Sequence, residues 1–170
     1  MAKKILFVGF GRSGKDEAGM FLAEHCGLRY GGSTSWAALP LMAEFLKVHP
    51  MVAWENRHKN RELWKAQCDV FRAEDPCRLI RLALVQGDVI TGVRGLPEIQ
   101  AARRANLFDH IIWVANPRVP VDPTVDFGLD ECNGVVVNEG TLEEYHRKLA
   151  QMAAFAFSAE NFSPYALKLL

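Results

Sequence analysis

With 170 residues, 49% hydrophobic and 24% charged, the chain has the size and composition of one folded domain with a sizeable core. Twenty Lys and Arg balance twenty Asp and Glu, so no bulk charge draws it to nucleic acid or to an acidic membrane surface. No apolar run reaches the length of a membrane span, the start does not read as a signal peptide, and four cysteines without a C-x-x-C pair point to a reducing, cytosolic setting.

Residues 4–8 read as a first strand and residues 14–26 as a first helix, with Ala18, Phe21, Leu22 and His25 at helical spacing. Between them runs Gly9-Phe10-Gly11-Arg12-Ser13-Gly14-Lys15-Asp16. A glycine turn between strand and helix aims backbone N–H groups and a helix N-terminus at an anion, and Lys15 adds a positive charge. Two patterns overlap in these residues. G-x-x-x-x-G-K is a nucleotide phosphate cradle, while Gly9, Gly11 and Gly14 also spell the dinucleotide fingerprint G-x-G-x-x-G. The fingerprint expects an acidic residue after the second strand, and the stretch from Leu28 to Thr34 has none. The lysine directly after Gly14 favours the phosphate cradle.

Further along, Gly31 to Ser35 reads as a glycine-serine turn, with Ser33 or Ser35 placed to cap a helix over residues 36–48 that carries Pro40 in its first turn. Residues 51–73 read as helical again, and Asp75-Pro76 as the opening of a helix reaching Gln86. Residues 88–94 form a short β-branched strand running into a loop, followed by a helix over 97–105. His110 to Ala115 is a continuous apolar strand, of the kind buried on both faces. Residues 116–134 carry Pro117, Pro120 and Pro123 without periodicity and read as a long, lid-like loop. Val135 to Val137 is a last strand, and Leu142, Tyr145, Leu149 and Met152 mark a closing helix. The tail from 158 to 170 is apolar enough to dock on the body or on a second copy in a homodimer. Strands alternating with helices imply an α/β fold with a parallel sheet wrapped on both faces.

Several positions carry chemistry. Lys15 would bridge the transferring phosphates, with the N–H groups from Gly11 through Arg12, Ser13 and Gly14 around the β-phosphate. Asp16 stands where a cradle of this type usually has Ser or Thr. Its carboxylate either ligates Mg²⁺ or simply stabilises the helix N-terminus. Arg94 lies past the end of a strand, where open parallel sheets bind ligands, and suits a substrate phosphate; the alternative is a surface ion pair with Glu98. Arg57, Arg61 and Arg72 supply cations between the second and third strands, and with Trp36, Trp54 and Trp64 they would line a nucleobase pocket or belong to the core. Arg118 opens the proline-rich loop and either closes over the donor or is a surface residue.

These residues resemble the nucleoside monophosphate kinase branch of the P-loop proteins, and most of all the bacteriophage deoxynucleoside monophosphate kinases. The likeness rests on Gly9 to Asp16 (GFGRSGKD), on Val89 to Arg94 (VITGVR) and on Val137 to Glu144 (VNEGTLEE). It covers about residues 3–155 and implies a three-layer P-loop fold with a five-stranded parallel sheet and a mobile helical region that binds the acceptor. Function follows as ATP- and Mg²⁺-dependent transfer of a phosphoryl group to a deoxynucleoside monophosphate, in the cytoplasm of a host if the chain is phage-encoded. By position, Lys15 and its loop would hold ATP, Asn138 and Gly140 would lie near adenine, and Arg94 would hold the acceptor phosphate. Residues 33–72, including Ser33, Trp36, Arg61 and Arg72, would form the acceptor region. Two features differ from those relatives: Gly92 stands where many carry an acid, and the lid region is rich in carboxylates, among them Asp122, Asp126, Asp130 and Glu131. A P-loop kinase acting on a hydroxyl in DNA would use Asp88 or Asp126 as base, and a nucleotide-binding regulatory protein would keep the cradle without turnover.

Overall fold

The structure, a computed structural model, describes residues 3–170. Five strands form an all-parallel sheet: β1 (Ile5–Val8), β2 (Tyr30–Ser33), β3 (Val89–Thr91), β4 (His110–Ala115) and β5 (Gly134–Val137), in the order β2-β3-β1-β4-β5. The continuous apolar run of β1 follows from its central place. Ile5 and Phe7 enter the core on one face of the sheet, Leu6 and Val8 the core on the other. The first face is covered by α1 (Lys15–His25), α8 (Leu142–Ala156) and α9 (Pro164–Leu169), the second by α6 (Arg78–Gln86) and α7 (Leu96–Arg104).

Between β2 and α6 run four further helices: α2 (Thr34–Ala37), α3 (Leu39–Leu46), α4 (Pro50–Glu55) and α5 (Arg61–Arg72). Leu39, Met42, Ala43, Ala53 and Trp64 give them a small core of their own. The expected helix over 36–48 is broken before Leu39, with Pro40 in the first turn of α3 as anticipated. The stretch 51–73 is likewise two helices rather than one. The Asn56 side chain donates to Val52 O and that of Asn60 to Asn56 O, so side-chain amides compete for the carbonyls where α4 ends. Residues 30–33, read in part as a turn, are an edge strand with a shifted register. A Cβ on Gly31 would come within 2.5 Å of Ala83 O, so glycine is what lets α6 pack against this edge.

The loop over 116–134 contains only a 3₁₀ turn at Leu129–Glu131. The tail docks on the body: Phe162, Ala166 and Leu169 join the core beneath α1 and α8, and Ser163 N–H donates to His25 O at 2.7 Å. Among the described residues no helix is long and apolar enough to cross a membrane. The connection from β1 runs through α1 to β2 beyond β3, while the connection from β3 crosses to β4 on the other side of β1. Its C-terminal end is therefore a topological switch point, the place where open α/β sheets form a ligand crevice.

Candidate functional site

The loop from Gly9 to Lys15 sits at that end of β1. Gly9 has φ +135°, and a Cβ there would lie 2.5 Å from Val114 O on the neighbouring strand. Gly14, the residue preceding α1, has φ +103°, and its missing side chain leaves room for the Asn138 amide. Arg12 takes the left-handed conformation without being glycine, φ +62°. The loop is braced from across the sheet. Asn138 Nδ2 donates to Ser13 O at 2.8 Å, and the hydroxyl of the fully buried Tyr145 donates to Gly14 O at 3.0 Å. Gly9→Ala is expected to cost about 2–3 kcal/mol, since it meets both a forbidden dihedral and a backbone oxygen, read as a lower urea midpoint. Tyr145→Phe keeps the packing and loses one hydrogen bond, so it should cost about 1 kcal/mol in the same titration.

Lys15 folds back over its own loop: Nζ donates to Phe10 O at 2.5 Å and to Ser13 Oγ at 3.3 Å. Burial, together with the nearby positive charge of Arg94, lowers its pKa to about 8. Asp16, in the first turn of α1, accepts from the Tyr30 hydroxyl at 2.7 Å and from Thr91 Oγ1 at 2.9 Å. Its carboxylate thus stands at the end of β3, beside a second oxygen ligand type in Thr91, and is reached by the Tyr30 side chain from the start of β2. The same position lies within reach of the α1 dipole, so the geometry agrees with either of the two roles read from the sequence.

Arg94, three residues beyond β3, does not pair with Glu98. Its Nη1 donates to Asp122 Oδ2 and to Thr124 Oγ1, both at 2.5 Å. Asp122 Oδ2 also accepts from the Gly11 N–H at 3.2 Å. Burial works to raise the Asp122 pKa, but the hydroxyl and amide of Thr124 and the Arg94 guanidinium outweigh it and hold the carboxyl below its ordinary range. Arg94 and the Gly11 N–H therefore converge on one carboxylate from the proline-rich loop, with the charge of Lys15 nearby. In the sequence Asp122 reads only as one acid among several. The local signal was Asp122-Pro123-Thr124, an Asx-type turn in which Oδ1 accepts from the Thr124 N–H at 3.0 Å.

Other expected site residues are distributed differently. Arg118 is exposed, with Nη1 3.5 Å from Gly140 O, so the lid arginine and the turn before α8 are neighbours. The Asn138 side chain is spent on the loop backbone, which makes it a brace of the glycine loop. Ser33 caps α2 by accepting from Trp36 N–H at 3.1 Å. Trp36 is 42% exposed and meets Trp54 edge-on, with Arg57 stacked 3.7 Å over the Trp54 ring, while Trp64 is core. Arg61 begins α5 on an exposed face. Arg72 is tied down: it bonds Glu98 at 3.2 Å and Asp69 at 2.6 Å, linking α5 to the first turn of α7. Neither candidate base faces the loop. Asp88 pairs with Arg29 at the opposite, N-terminal end of β3, and Asp126 accepts from the Leu96 N–H at the start of α7.

Among the described residues no group of three or more His, Cys, Asp or Glu is placed to hold a metal on its own. An open depression of about 320 Å³ borders Gly140 and is lined by Glu144, Arg147 and Lys148 of α8; no residue of the Gly9–Lys15 loop lines it. What fold and site together define is an α/β protein with a five-stranded parallel sheet flanked by helices and a glycine-lysine loop at its switch point. Compared with known proteins, the chain matches no family model and no curated protein.

Proposed function

We propose that the chain is a P-loop nucleotide kinase that transfers the γ-phosphoryl group of ATP to a deoxynucleoside 5′-monophosphate. One observation carries this reading: the Gly9–Lys15 loop, the N-terminus of α1 and Arg94 converge at the C-terminal end of β1. In this reading the loop N–H groups and Lys15 grip the donor's β- and γ-phosphates. Arg94 takes the acceptor phosphate, whose oxygen attacks the γ-phosphorus as the bond to the β-phosphate's bridging oxygen breaks. An ionised phosphate needs no general base, so the protein's part is positioning and charge stabilisation. The donor set suits Mg²⁺, which prefers hard oxygens and one or two carboxylates plus phosphates; Asp16 and the Thr91 hydroxyl would hold it. Bound there, it would neutralise charge on the transferring group. Arg118, beside Gly140, would lie toward the adenine end, and Trp36 would offer an exposed ring to the acceptor base.

Two other readings are separated by one experiment. The engagement of Asp88 and Asp126 elsewhere weighs against transfer to a DNA hydroxyl. Gly92, which puts no carboxylate beside Thr91, favours a protein that binds nucleotide without turnover. The test incubates the protein with Mg-ATP and each deoxynucleoside monophosphate, a DNA oligomer, or no acceptor, and follows ADP. Turnover with a monophosphate, lowered roughly 10²-fold by Arg94→Ala, supports the kinase. Turnover only with DNA, or ATP binding without acceptor-dependent ADP, would sink it.

A further inference from the structure

We infer that Asp122 is a built-in phosphate mimic: the proline-rich loop presents its carboxylate to the anion site and holds it closed until a polyphosphate displaces it. The inference rests on reading Gly9–Lys15 as a phosphate loop. The carboxylate takes the same partners a phosphate oxygen would. A backbone N–H of the loop reaches it at 3.2 Å and a guanidinium at 2.5 Å, with the Lys15 charge acting on the same group.

The mimic is pre-aimed. Thr124 holds Asp122 Oδ1 through its N–H at 3.0 Å and its hydroxyl at 2.5 Å, which leaves Oδ2 to face the loop. Gly11 makes way for it. Its φ is not in the left-handed region, so glycine is not needed for the backbone there; a Cβ would stand 3.1 Å from Asp122 Oδ2. Lys15 is turned inward at the same time, its ammonium on Phe10 O. Lys15, Arg94 and the Gly11 N–H, three groups that would greet a phosphate, are thus satisfied from within the chain.

The loop is built to release. Downstream it is fixed, with Val125 buried in the core under α6 and α7 and Asp126 bonded to the Leu96 N–H. Upstream it is exposed, Val121 being 75% accessible, so residues 117–124 can swing about that anchor. A carboxylate and a phosphate cannot share the same donors, because two anions at contact distance repel strongly in a partly buried site. Anion binding and loop closure are therefore competing states of one equilibrium.

The test measures tripolyphosphate binding by calorimetry, without and with Mg²⁺, on the full chain and on Asp122→Ala and Asp122→Asn. Removing the competitor is expected to tighten binding about tenfold in both variants. An independent readout on the unaltered protein is tryptic cleavage after Arg118, which tripolyphosphate should accelerate several-fold by freeing the loop. Unchanged affinity in the variants, or protection of Arg118 on binding, would overturn the mimic while leaving the phosphate loop standing. Weaker binding in the variants only when Mg²⁺ is present would make Asp122 a metal ligand and also overturn it. No tripolyphosphate binding by any of the three proteins would remove the phosphate loop and the mimic together.

Discussion

Replacing Lys15 by alanine is expected to lower ADP formation from Mg-ATP by roughly 10²–10³-fold, the scale on which one preorganised charge-stabilising group contributes to a transition state. The fold should survive, since the side chain's partners are Phe10 O and Ser13 Oγ on its own loop, and water can replace it there. Circular dichroism and the urea midpoint check that point separately from activity. The charge has its own signature in pH. Burial and the Arg94 charge hold Lys15 at about 8 in the free protein, so the ammonium is lost as pH rises through that value. Tripolyphosphate affinity should weaken between pH 7 and 9.5 in the native chain. It should be weak and flat in Lys15→Ala, and strong and flat in Lys15→Arg, whose guanidinium stays charged throughout. Equal pH profiles in the native chain and Lys15→Ala would remove Lys15 from the site.

The second large effect is on stability. Glu98 of α7 is 3% exposed, with Oε2 on Arg72 and Oε1 without a hydrogen-bond partner. Burial pushes its carboxyl up to about 7, and the Arg72 charge offsets only part of that. A carboxyl raised on folding keeps its proton in the native state where the unfolded chain has already released it. Its contribution is therefore complete below about pH 4.5 and is lost as pH climbs through 7. By linkage the loss is about 3 kcal/mol over that window. Glu98→Gln cannot titrate, so the difference in unfolding free energy between native and variant should change by about that amount from pH 5 to pH 8. Parallel stability curves for the two proteins would show that Glu98 is charged throughout. The ion pair is better understood as a tie between α5 and α7 than as a source of net stability, because desolvating both partners costs much of what their attraction returns.

What the sequence discloses follows the range of each interaction. β1, the glycine loop and α1 are consecutive, so strand, turn and helix signals reinforce one another within about twenty residues. β4 declares itself by an unbroken apolar run, and α8 by its period; the Thr141–Glu144 capping box that closes its N-terminus appears only in the structure. β2 is nearly silent, since Tyr-Gly-Gly-Ser offers no alternation and Gly31 answers to α6, about fifty residues away. Arg72 and Arg94 are cations in plausible places, yet nothing local says that one meets Glu98 and the other Asp122. Those pairings depend on how α5 and the proline-rich loop settle over the sheet, a matter of tertiary packing that residue spacing does not encode. Nor does anything local say that the Asn138 amide donates to the carbonyl of Ser13.

That brace has a consequence for how the protein comes into being. The glycine loop lies within the first fifteen residues, but the side chains that hold it in shape, Asn138 and Tyr145, follow their partners by 125 and 131 positions. At ribosomal speeds this is a delay of roughly ten seconds, during which the loop waits without these two braces. β1 is in the same situation, since it pairs only with β3 and β4, strands that emerge well after it. The glycine loop thus becomes rigid only after residues made much later have emerged, and an unfinished chain on the ribosome holds the glycine-lysine loop as sequence but not yet as a braced structure.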